Sequence, residues 1–273
     1  ATLLFLRTQW SELGNIMKQL TEKIVLITGA GSGIGRETAL LMAQHGATLV
    51  LAGRRIEPLE AVAEEVRELG GQVRVRSVDL EDGEAAAALG RWTLEQFGRV
   101  DVLVNNAGHS SKTRSIRYVG TDDWQSVFAV NVEGVYRLTQ SLIESMIAKG
   151  EGTVITVSSM AALKPGLLGG APYSAAKAAS RNLMGDINAE LNDLGIRACT
   201  IVPAEVDTPI LDNRPLIPDE ESRATMMHPR DIADAILLCA VMPQRTVVEE
   251  IVLKPTTNRN VDRDIDIARR EGE

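Results

Sequence analysis

The stretch TGAGSGIG at residues 28–35 joins a predicted strand to a predicted helix, and this position indicates the class of fold. It follows directly on the apolar run KIVLIT (23–28), whose uninterrupted hydrophobicity is typical of a strand covered on both faces. A helix-like segment begins within the stretch, at Gly33. Glycines at such a turn allow the backbone to approach a pyrophosphate, which the positive end of the helix stabilises. The turn therefore predicts that the chain binds a dinucleotide.

The glycine spacing departs from the strict G-x-G-x-x-G pattern, because Arg36 stands where that pattern requires its third glycine. The spacing present is Gly29-x-x-x-Gly33-x-Gly35. A purely structural turn is the alternative, and the position after the first strand of a βαβ unit disfavours it. The cofactor contacts predicted for this turn are Gly29, Gly31, Ser32, Gly33, Ile34 and Gly35.

Strand-like and helix-like segments alternate over the rest of the chain. Strands are predicted at 23–28, 48–53, 72–80, 100–106, 152–159, 196–203 and 246–253. Helices are predicted at 33–45, 57–71, 84–98, 121–148, 172–194 and 228–242. This alternation predicts a single α/β domain, with a Rossmann-type doubly wound parallel sheet of about seven strands and helices on both faces.

Three segments lie outside the regular alternation. Residues 1–16 are expected to be an extension outside the core fold, with a short surface helix as the alternative. The oxidoreductase-type domain is then expected to span 17–254. Within it, the proline-containing segment 204–227 is too long for a simple connection and is predicted to be a substrate-binding lid. The tail at 255–273 is polar and is expected to be mobile.

Composition excludes several classes of function. The formal net charge of −8 disfavours binding to nucleic acid or to anionic membranes, which requires a basic surface. The apolar run near the start is only four residues long, which is too short for a membrane span or a signal peptide. Three histidines without a Cys/His cluster predict no metal site. Cys199 and Cys239 lie in apolar runs, so buried thiols and a reducing cytoplasm are expected.

The end of the second strand indicates which dinucleotide is bound. An NAD site requires a carboxylate there for the ribose hydroxyls. This chain instead has AGRRIE (52–57), which places Arg54 and Arg55 at that point. Guanidinium groups match phosphate oxygens in bidentate geometry, so this pair predicts NADP(H) in preference to NAD(H). The alternative is that one of the two, Arg55, merely faces solvent.

Three motifs in order carry a family resemblance. They are TGAGSGIG (28–35), NNAG (105–108) after the fourth predicted strand, and YSAAK (173–177) near the start of a late helix. With these motifs the chain resembles the short-chain dehydrogenase/reductase family over residues 20–253. The resemblance implies a hydride-transferring oxidoreductase whose cofactor is a nicotinamide dinucleotide.

The resemblance also implies four catalytic residues. Tyr173 would be the general acid and base, and Lys177 would bind the nicotinamide ribose. Ser159 at the end of the fifth strand would hold the substrate oxygen, with Ser158 as the alternative. Asn131 in the long helix would hold a water molecule that relays protons to the lysine.

The chemistry of the tyrosine requires a lowered pKa. A free phenol has a pKa of about 10, which is too high for base catalysis near neutrality. Lys177 follows Tyr173 by one helical turn on the same face, and a cation so placed favours the phenolate. The sequence therefore predicts that Lys177 lowers the pKa of Tyr173.

The resemblance supplies the remaining cofactor contacts: Asp79, Leu80, Asn106, Ala107, Gly108, Pro203, Val206 and Thr208, with Tyr173 and Lys177. It implies an NADP(H)-dependent enzyme that interconverts a small secondary alcohol and a ketone or aldehyde, and a homodimer or homotetramer. One alternative is a non-catalytic dinucleotide-binding regulator. Another is a 3-oxoacyl-thioester reductase, for which Lys112, Arg114 and Arg117 are candidates for docking an acidic carrier protein, or else form a solvated loop rim.

Overall fold

The computed structural model describes residues 19–273, so the predicted extension at 1–16 lies outside the described residues. One sheet forms the centre of the molecule. Its strands are β1 (Ile24–Thr28), β2 (Thr48–Gly53), β3 (Gln72–Ser77), β4 (Val102–Asn105), β5 (Gly152–Val157), β6 (Ile196–Pro203) and β7 (Glu250–Leu253).

The seven strands are parallel and lie in the order β3-β2-β1-β4-β5-β6-β7. Val25 of β1 is in register with Leu49 of β2 on one side and with Val102 of β4 on the other. The strand order therefore reverses beside β1. In such sheets a crevice opens at the carboxyl ends of the strands where the order reverses. The predicted doubly wound parallel sheet is confirmed.

Helices cover both faces of this sheet. The helices within residues 19–273 are α1 (Gly33–Gln44), α2 (Ile56–Glu68), α3 (Gly83–Phe97), α4 (Thr121–Phe128), α5 (Gly134–Lys149), α6 (Ala171–Leu191), α7 (Glu220–Arg223), α8 (Pro229–Val241) and α9 (Asp262–Arg270). One apolar core joins α1, α2 and α8 to the sheet, and the other joins α3, α5 and α6 to it. No helix within residues 19–273 is long and apolar enough to cross a membrane.

The single helix predicted over 121–148 is interrupted in the structure. A π-helical turn, Ala129–Glu133, separates α4 from α5. The amide of Asn131 donates a 2.8 Å hydrogen bond to the carbonyl oxygen of Val127, which lies one turn earlier. The Asn131 side chain thus donates to a carbonyl oxygen that would accept a backbone hydrogen bond in a regular α-helix. π-Helical turns are frequent at functional sites. Helical periodicity in the sequence cannot reveal such a local change of hydrogen bonding.

The C-terminal tail is ordered against the rest of the chain, so the expectation of a mobile tail is wrong. It forms α9, and the guanidinium of Arg259 before that helix is buried. Arg259 pairs with Glu205 and with Asp264, each at 2.8 Å. Glu205 belongs to the segment 204–227, and the tail is therefore fastened to the predicted lid.

At Gly35, helix α1 lies in close contact with the backbone of Gly29. A Cβ atom there would lie 2.3 Å from the carbonyl oxygen of Gly29 and 2.6 Å from Nδ2 of Asn106. Gly35→Ala is therefore expected to lower the free energy of unfolding by about 3 kcal/mol, since backbone must move to accept the methyl group. The measurement is denaturant unfolding followed by circular dichroism.

Gly185→Ala is the matched control, because Gly185 is also helical and a Cβ atom there meets nothing within 4 Å. In that exposed position alanine is expected to raise the free energy of unfolding by up to about 1 kcal/mol through helix propensity. Equal effects of the two substitutions would contradict the tight packing assigned to Gly35.

Candidate functional site

A cavity of about 530 Å³ lies at the carboxyl ends of the strands, where the strand order reverses. It brings together almost all the residues that the sequence predicted for the site. Those that line it are Gly29, Gly31, Ser32, Gly33, Ile34, Arg54, Arg55, Asp79, Leu80, Asn106, Ala107, Gly108, Ser159, Tyr173, Lys177, Pro203, Val206 and Thr208. Gly35 and Asn131 lie behind this lining, Gly35 against the backbone of Gly29 and Asn131 beside Gly108.

The glycine-rich turn forms one wall of the cavity. Gly29 has a φ of 63°, and a Cβ atom on it would lie 2.9 Å from Cα of Ala107. Gly33 has a φ of 53° and faces Thr208, whose Cγ2 would be 3.2 Å from a Cβ atom. Ser32 precedes the first turn of α1, and its side chain makes no capping hydrogen bond. The turn thus leaves backbone and the helix N-terminus open to the cavity.

Asn106 fastens this turn to the end of β4. Its Nδ2 donates to the carbonyl oxygen of Thr28 at 2.9 Å and to that of Gly29 at 3.2 Å. The backbone N–H groups of Asn106 and Ala107 both donate to Oγ1 of Thr28. The sequence did not predict a role for Thr28 in the site, although Thr28 is the first residue of TGAGSGIG (28–35). It positions the two loops that flank the crevice.

Arg54 and Arg55 lie at the end of β2 on the rim of the cavity, and both are exposed. Within residues 19–273 neither guanidinium forms an ion pair with a carboxylate. The carboxylate typical of an NAD site does not follow β2 here, since Gly53 ends the strand. Two free cations on this rim are suited to an additional phosphate group.

The structure distinguishes the two candidate serines. Ser158 is buried and its hydroxyl donates to the carbonyl oxygen of Lys177 at 2.9 Å, so it supports α6. Ser159 lines the cavity together with Tyr173, and its hydroxyl is near enough to the phenol to lower the pKa of Tyr173. Ser159 is therefore the serine that is placed to share a substrate oxygen with Tyr173.

The electrostatics of Tyr173 differ from the sequence prediction. Burial raises the pKa of Tyr173, and the Ser159 hydroxyl and the charges of Arg114 and Arg214 offset only part of this rise. Burial also lowers the pKa of Lys177 to about 8. Its Nζ lies 5.7 Å from the centre of the Tyr173 ring and donates to the Val157 carbonyl oxygen at 2.8 Å. Lys177 is held beside the ring, but two arginines supply the charges that lower the pKa of the phenol.

Asn131 and Lys177 meet beside Gly108. A Cβ atom on Gly108 would lie 2.6 Å from Oδ1 of Asn131 and 3.0 Å from Nζ of Lys177. The amide of Asn131 donates to the His109 carbonyl oxygen at 2.8 Å, whereas its Oδ1 is buried without a hydrogen-bond partner. A buried acceptor without a partner is costly unless a water molecule or a ligand satisfies it. This atom therefore points to a bound group beside Lys177.

The sequence analysis did not predict that two arginines would lie near enough to Tyr173 to affect its pKa. Arg114 is 4% exposed, lines the cavity and has its pKa lowered to about 10, chiefly by burial. Arg214 lines the cavity and pairs with Glu205 at 2.6 Å. No local pattern in the sequence marks either residue, because each is brought in by a loop. Lining is also contributed by His109, Ser110, Met160, Leu168, Gly169, Ile210, Leu211 and Asn213.

The burial of Arg114 also corrects the basic patch considered for a carrier protein. Arg114 is neither on the surface nor on a solvated loop rim. Lys112 is exposed and lies 3.8 Å from the carboxylate of Glu271, and Arg117 lies over the ring of Tyr118. The three basic residues thus point to different surroundings and do not form one docking surface.

The residues present fit a nicotinamide dinucleotide. The glycines of the turn leave open the space that Cβ atoms would otherwise occupy, and the helix N-terminus there suits a pyrophosphate. The rim cations suit a further phosphate, and Lys177 lines the cavity beside Gly108, behind which lies the unpartnered Oδ1 of Asn131. The chain therefore presents complementary groups along the length of such a molecule.

Comparison with known sequences agrees with this site. A family model described as short chain dehydrogenase matches residues 23–216. An uncharacterised oxidoreductase of Listeria innocua is 34% identical over 248 residues, which cover 87% of this chain and 98% of that protein. One from Staphylococcus aureus is 31% identical over 239 residues and is covered completely.

Solved structures show the same architecture. A metagenomic short-chain oxidoreductase in complex with NADP superposes with a TM-score of 0.77 and 30% identity, covering 88% of this chain and 100% of the other. An alcohol dehydrogenase of the archaeon Thermococcus sibiricus, complexed with 5-hydroxy-NADP, has a TM-score of 0.77 and 29% identity. The match covers 87% of this chain and 98% of the other.

Proposed function

The chain belongs to the short-chain dehydrogenase/reductase family of oxidoreductases, and we propose that it is an NADP(H)-dependent enzyme that interconverts a secondary alcohol and the corresponding ketone, or a primary alcohol and the corresponding aldehyde. The observation that carries the proposal is the meeting of Ser159, Tyr173 and Lys177 in the cavity beside the glycine-rich turn. A protein that only bound a dinucleotide would not need a phenol and a serine hydroxyl next to each other there.

Each residue has a distinct role in the proposed reaction. The nicotinamide dinucleotide, when bound, supplies or accepts the hydride. Ser159 and Tyr173 hold the substrate oxygen, and Tyr173 gives it a proton or removes one. Lys177 is placed to bind the ribose of the cofactor, and Oδ1 of Asn131 to hold a water molecule that passes protons to Lys177.

The cofactor preference rests on the rim of the cavity. Arg54 and Arg55 would bind the 2′-phosphate of NADP(H), because they are free of carboxylate partners and no acidic residue ends β2. Two neighbours, the metagenomic oxidoreductase and the Thermococcus sibiricus enzyme, carry NADP and 5-hydroxy-NADP respectively. Their cofactors support the same choice for this chain.

The state of Tyr173 favours reduction of the carbonyl at neutral pH. Burial raises the pKa of the phenol, so the hydroxyl carries its proton and can donate it to a carbonyl oxygen. Oxidation of the alcohol instead requires the phenolate. The rate of oxidation is therefore expected to rise with pH, whereas the rate of reduction is expected to be highest where the phenol is protonated.

The proposal is tested by following NADPH consumption with a panel of ketones, aldehydes, sugars, oxo acids and acyl thioesters. We expect turnover of at least one class, with NADPH preferred over NADH. The reverse reaction is then measured with the corresponding alcohol and NADP⁺ over a range of pH. Tight binding of NADPH without consumption across the whole panel would favour the dinucleotide-binding regulator.

A further inference from the structure

We propose that the substrate carries a carboxylate close to its reacting carbonyl, and that Arg114 binds this carboxylate. The substrate class is thus short oxo acids and the corresponding hydroxy acids. The inference rests on the proposed function, since it concerns the substrate of the same cavity. It is carried by the surroundings of Arg114, which differ from those of the other buried arginines.

Arg114 is a buried cation without an anion. Its Nη1 donates to the carbonyl oxygen of Gly169 at 2.6 Å. Its Nη2 lies 3.2 Å from the hydroxyl of Ser110 and 3.5 Å from the carbonyl oxygen of Asn213. Its Nε is buried and has no hydrogen-bond partner. All of these contacts are neutral, and burying a charge is costly unless it is paired.

Two other buried arginines show what a purely structural role requires in this protein. Arg197 also lacks a carboxylate, but its Nε, Nη1 and Nη2 are all hydrogen-bonded, with three carbonyl oxygens of 242–246 at 2.8–3.0 Å. Arg259 pairs with Glu205 and Asp264. Of these three buried guanidiniums only that of Arg114 lines the cavity and keeps an unpartnered nitrogen.

Arg114 is not part of the ion-pair group at the substrate end of the cavity. Arg214 and Arg259 share Glu205, and Arg259 also holds Asp264, so this group contains two cations and two anions. Lys164 and Lys177 also line the cavity, but Lys164 is exposed and Lys177 is assigned to the cofactor, so Arg114 is the buried arginine at this end that has no carboxylate partner within residues 19–273. An anionic group of the substrate would supply the missing charge, and a carboxylate does so in the planar geometry that a guanidinium prefers.

The position of Arg114 suits a carboxylate near the reacting carbonyl. Its Nη1 donates to the carbonyl oxygen of Gly169, and a Cβ atom on Gly169 would lie 3.7 Å from Cδ1 of Tyr173, so the guanidinium is close to the proposed proton donor. Leu168, Ile210 and Leu211 line the cavity as apolar neighbours. These side chains offer apolar contacts to a short alkyl group.

The test compares acids with their neutral counterparts in the NADPH-bound protein. We expect kcat/KM for 2-oxo and 3-oxo acids, such as acetoacetate, to exceed that for the matching amides by at least about tenfold. Arg114→Met is expected to lower kcat/KM for the acids by about 10- to 100-fold and that for the amides by less, so that the ratio of the two falls to near one. Arg114→Lys keeps the charge and should retain part of the preference.

A binding measurement separates this inference from the proposed function. Butanoate, which cannot react, is expected to raise the melting temperature of the NADPH complex of the wild-type protein, whereas butanamide should not. Arg117→Met is the control, because Arg117 is in the same loop but is exposed over Tyr118. It should behave as the wild type in both assays.

The outcomes are distinguishable even if Arg114→Met does not fold, since the wild type and Arg114→Lys suffice. Equal turnover of acids and amides by the wild type, or no effect of butanoate on its melting temperature, overturns the carboxylate site. Turnover of neutral ketones would then leave the proposed function standing. Binding of butanoate without any turnover would instead keep the carboxylate site and reject the oxidoreductase reaction.

Discussion

Tyr173→Phe is expected to lower kcat by about a hundredfold to ten-thousandfold, because the phenol hydroxyl is the proposed proton donor. The substitution removes one oxygen and retains the ring beside which Nζ of Lys177 lies at 5.7 Å. NADPH binding, followed by nucleotide fluorescence, and the melting temperature should therefore stay close to those of the wild type. Loss of turnover with retained binding would separate chemistry from cofactor recognition.

Tyr136→Phe is the matched control, since this tyrosine is 38% exposed on α5 and does not line the cavity. It should turn over at the wild-type rate. Ser159→Ala should also lower kcat, because the serine hydroxyl lines the cavity beside the phenol and is proposed to hold the same substrate oxygen. A Tyr173→Phe variant that keeps more than about a tenth of the wild-type rate would falsify the proposed acid–base role.

The double variant Arg54→Ala/Arg55→Ala is expected to raise the KM for NADPH by about a hundredfold and to leave the KM for NADH almost unchanged. Both guanidiniums lie on the rim of the cavity without carboxylate partners, so the contact that they lose is the one to the 2′-phosphate. The measurement is the ratio of kcat/KM with the two cofactors. That ratio should fall to near one in the variant.

Arg76→Ala is the control for a general loss of positive charge. Arg76 lies on the neighbouring strand β3, over the ring of Trp92 and outside the cavity. Its replacement should leave the preference for NADPH intact. Equal efficiency of the wild type with NADH and NADPH, or an equal loss for both cofactors in the double variant, would contradict the role given to Arg54 and Arg55.

The fold was predictable because its signals are local. The uninterrupted apolar run at 23–28 indicates a strand that is buried on both faces, and the amphipathic spacing at 57–71 indicates a helix; the structure has β1 and α2 at these places. The glycine-rich turn identifies the strand after which the crevice opens, because only small residues allow the close contact of Gly35 with Gly29. The order of the strands needed the structure, because right-handed crossovers are compatible with more than one order of a doubly wound sheet.

Most residues of the candidate site could also be predicted from local sequence patterns. Tyr173 and Lys177 are one turn apart in a helix, and Arg54 and Arg55 follow a strand directly, so their placement needed only local geometry. The choice between Ser158 and Ser159 did need the structure. In an extended segment adjacent residues face opposite sides, and the side that faces Tyr173 is set by packing against α6.

Only the tertiary structure revealed the charges that surround the substrate end of the cavity. Arg114 contacts Gly169, 55 residues away, and Asn213, 99 residues away, and the tail returns through Arg259 to Glu205 over 54 residues. Loop residues carry no periodicity that would predict which of them is buried. Their burial is decided by contacts between segments distant in the chain, which form only once the sheet has brought those segments together.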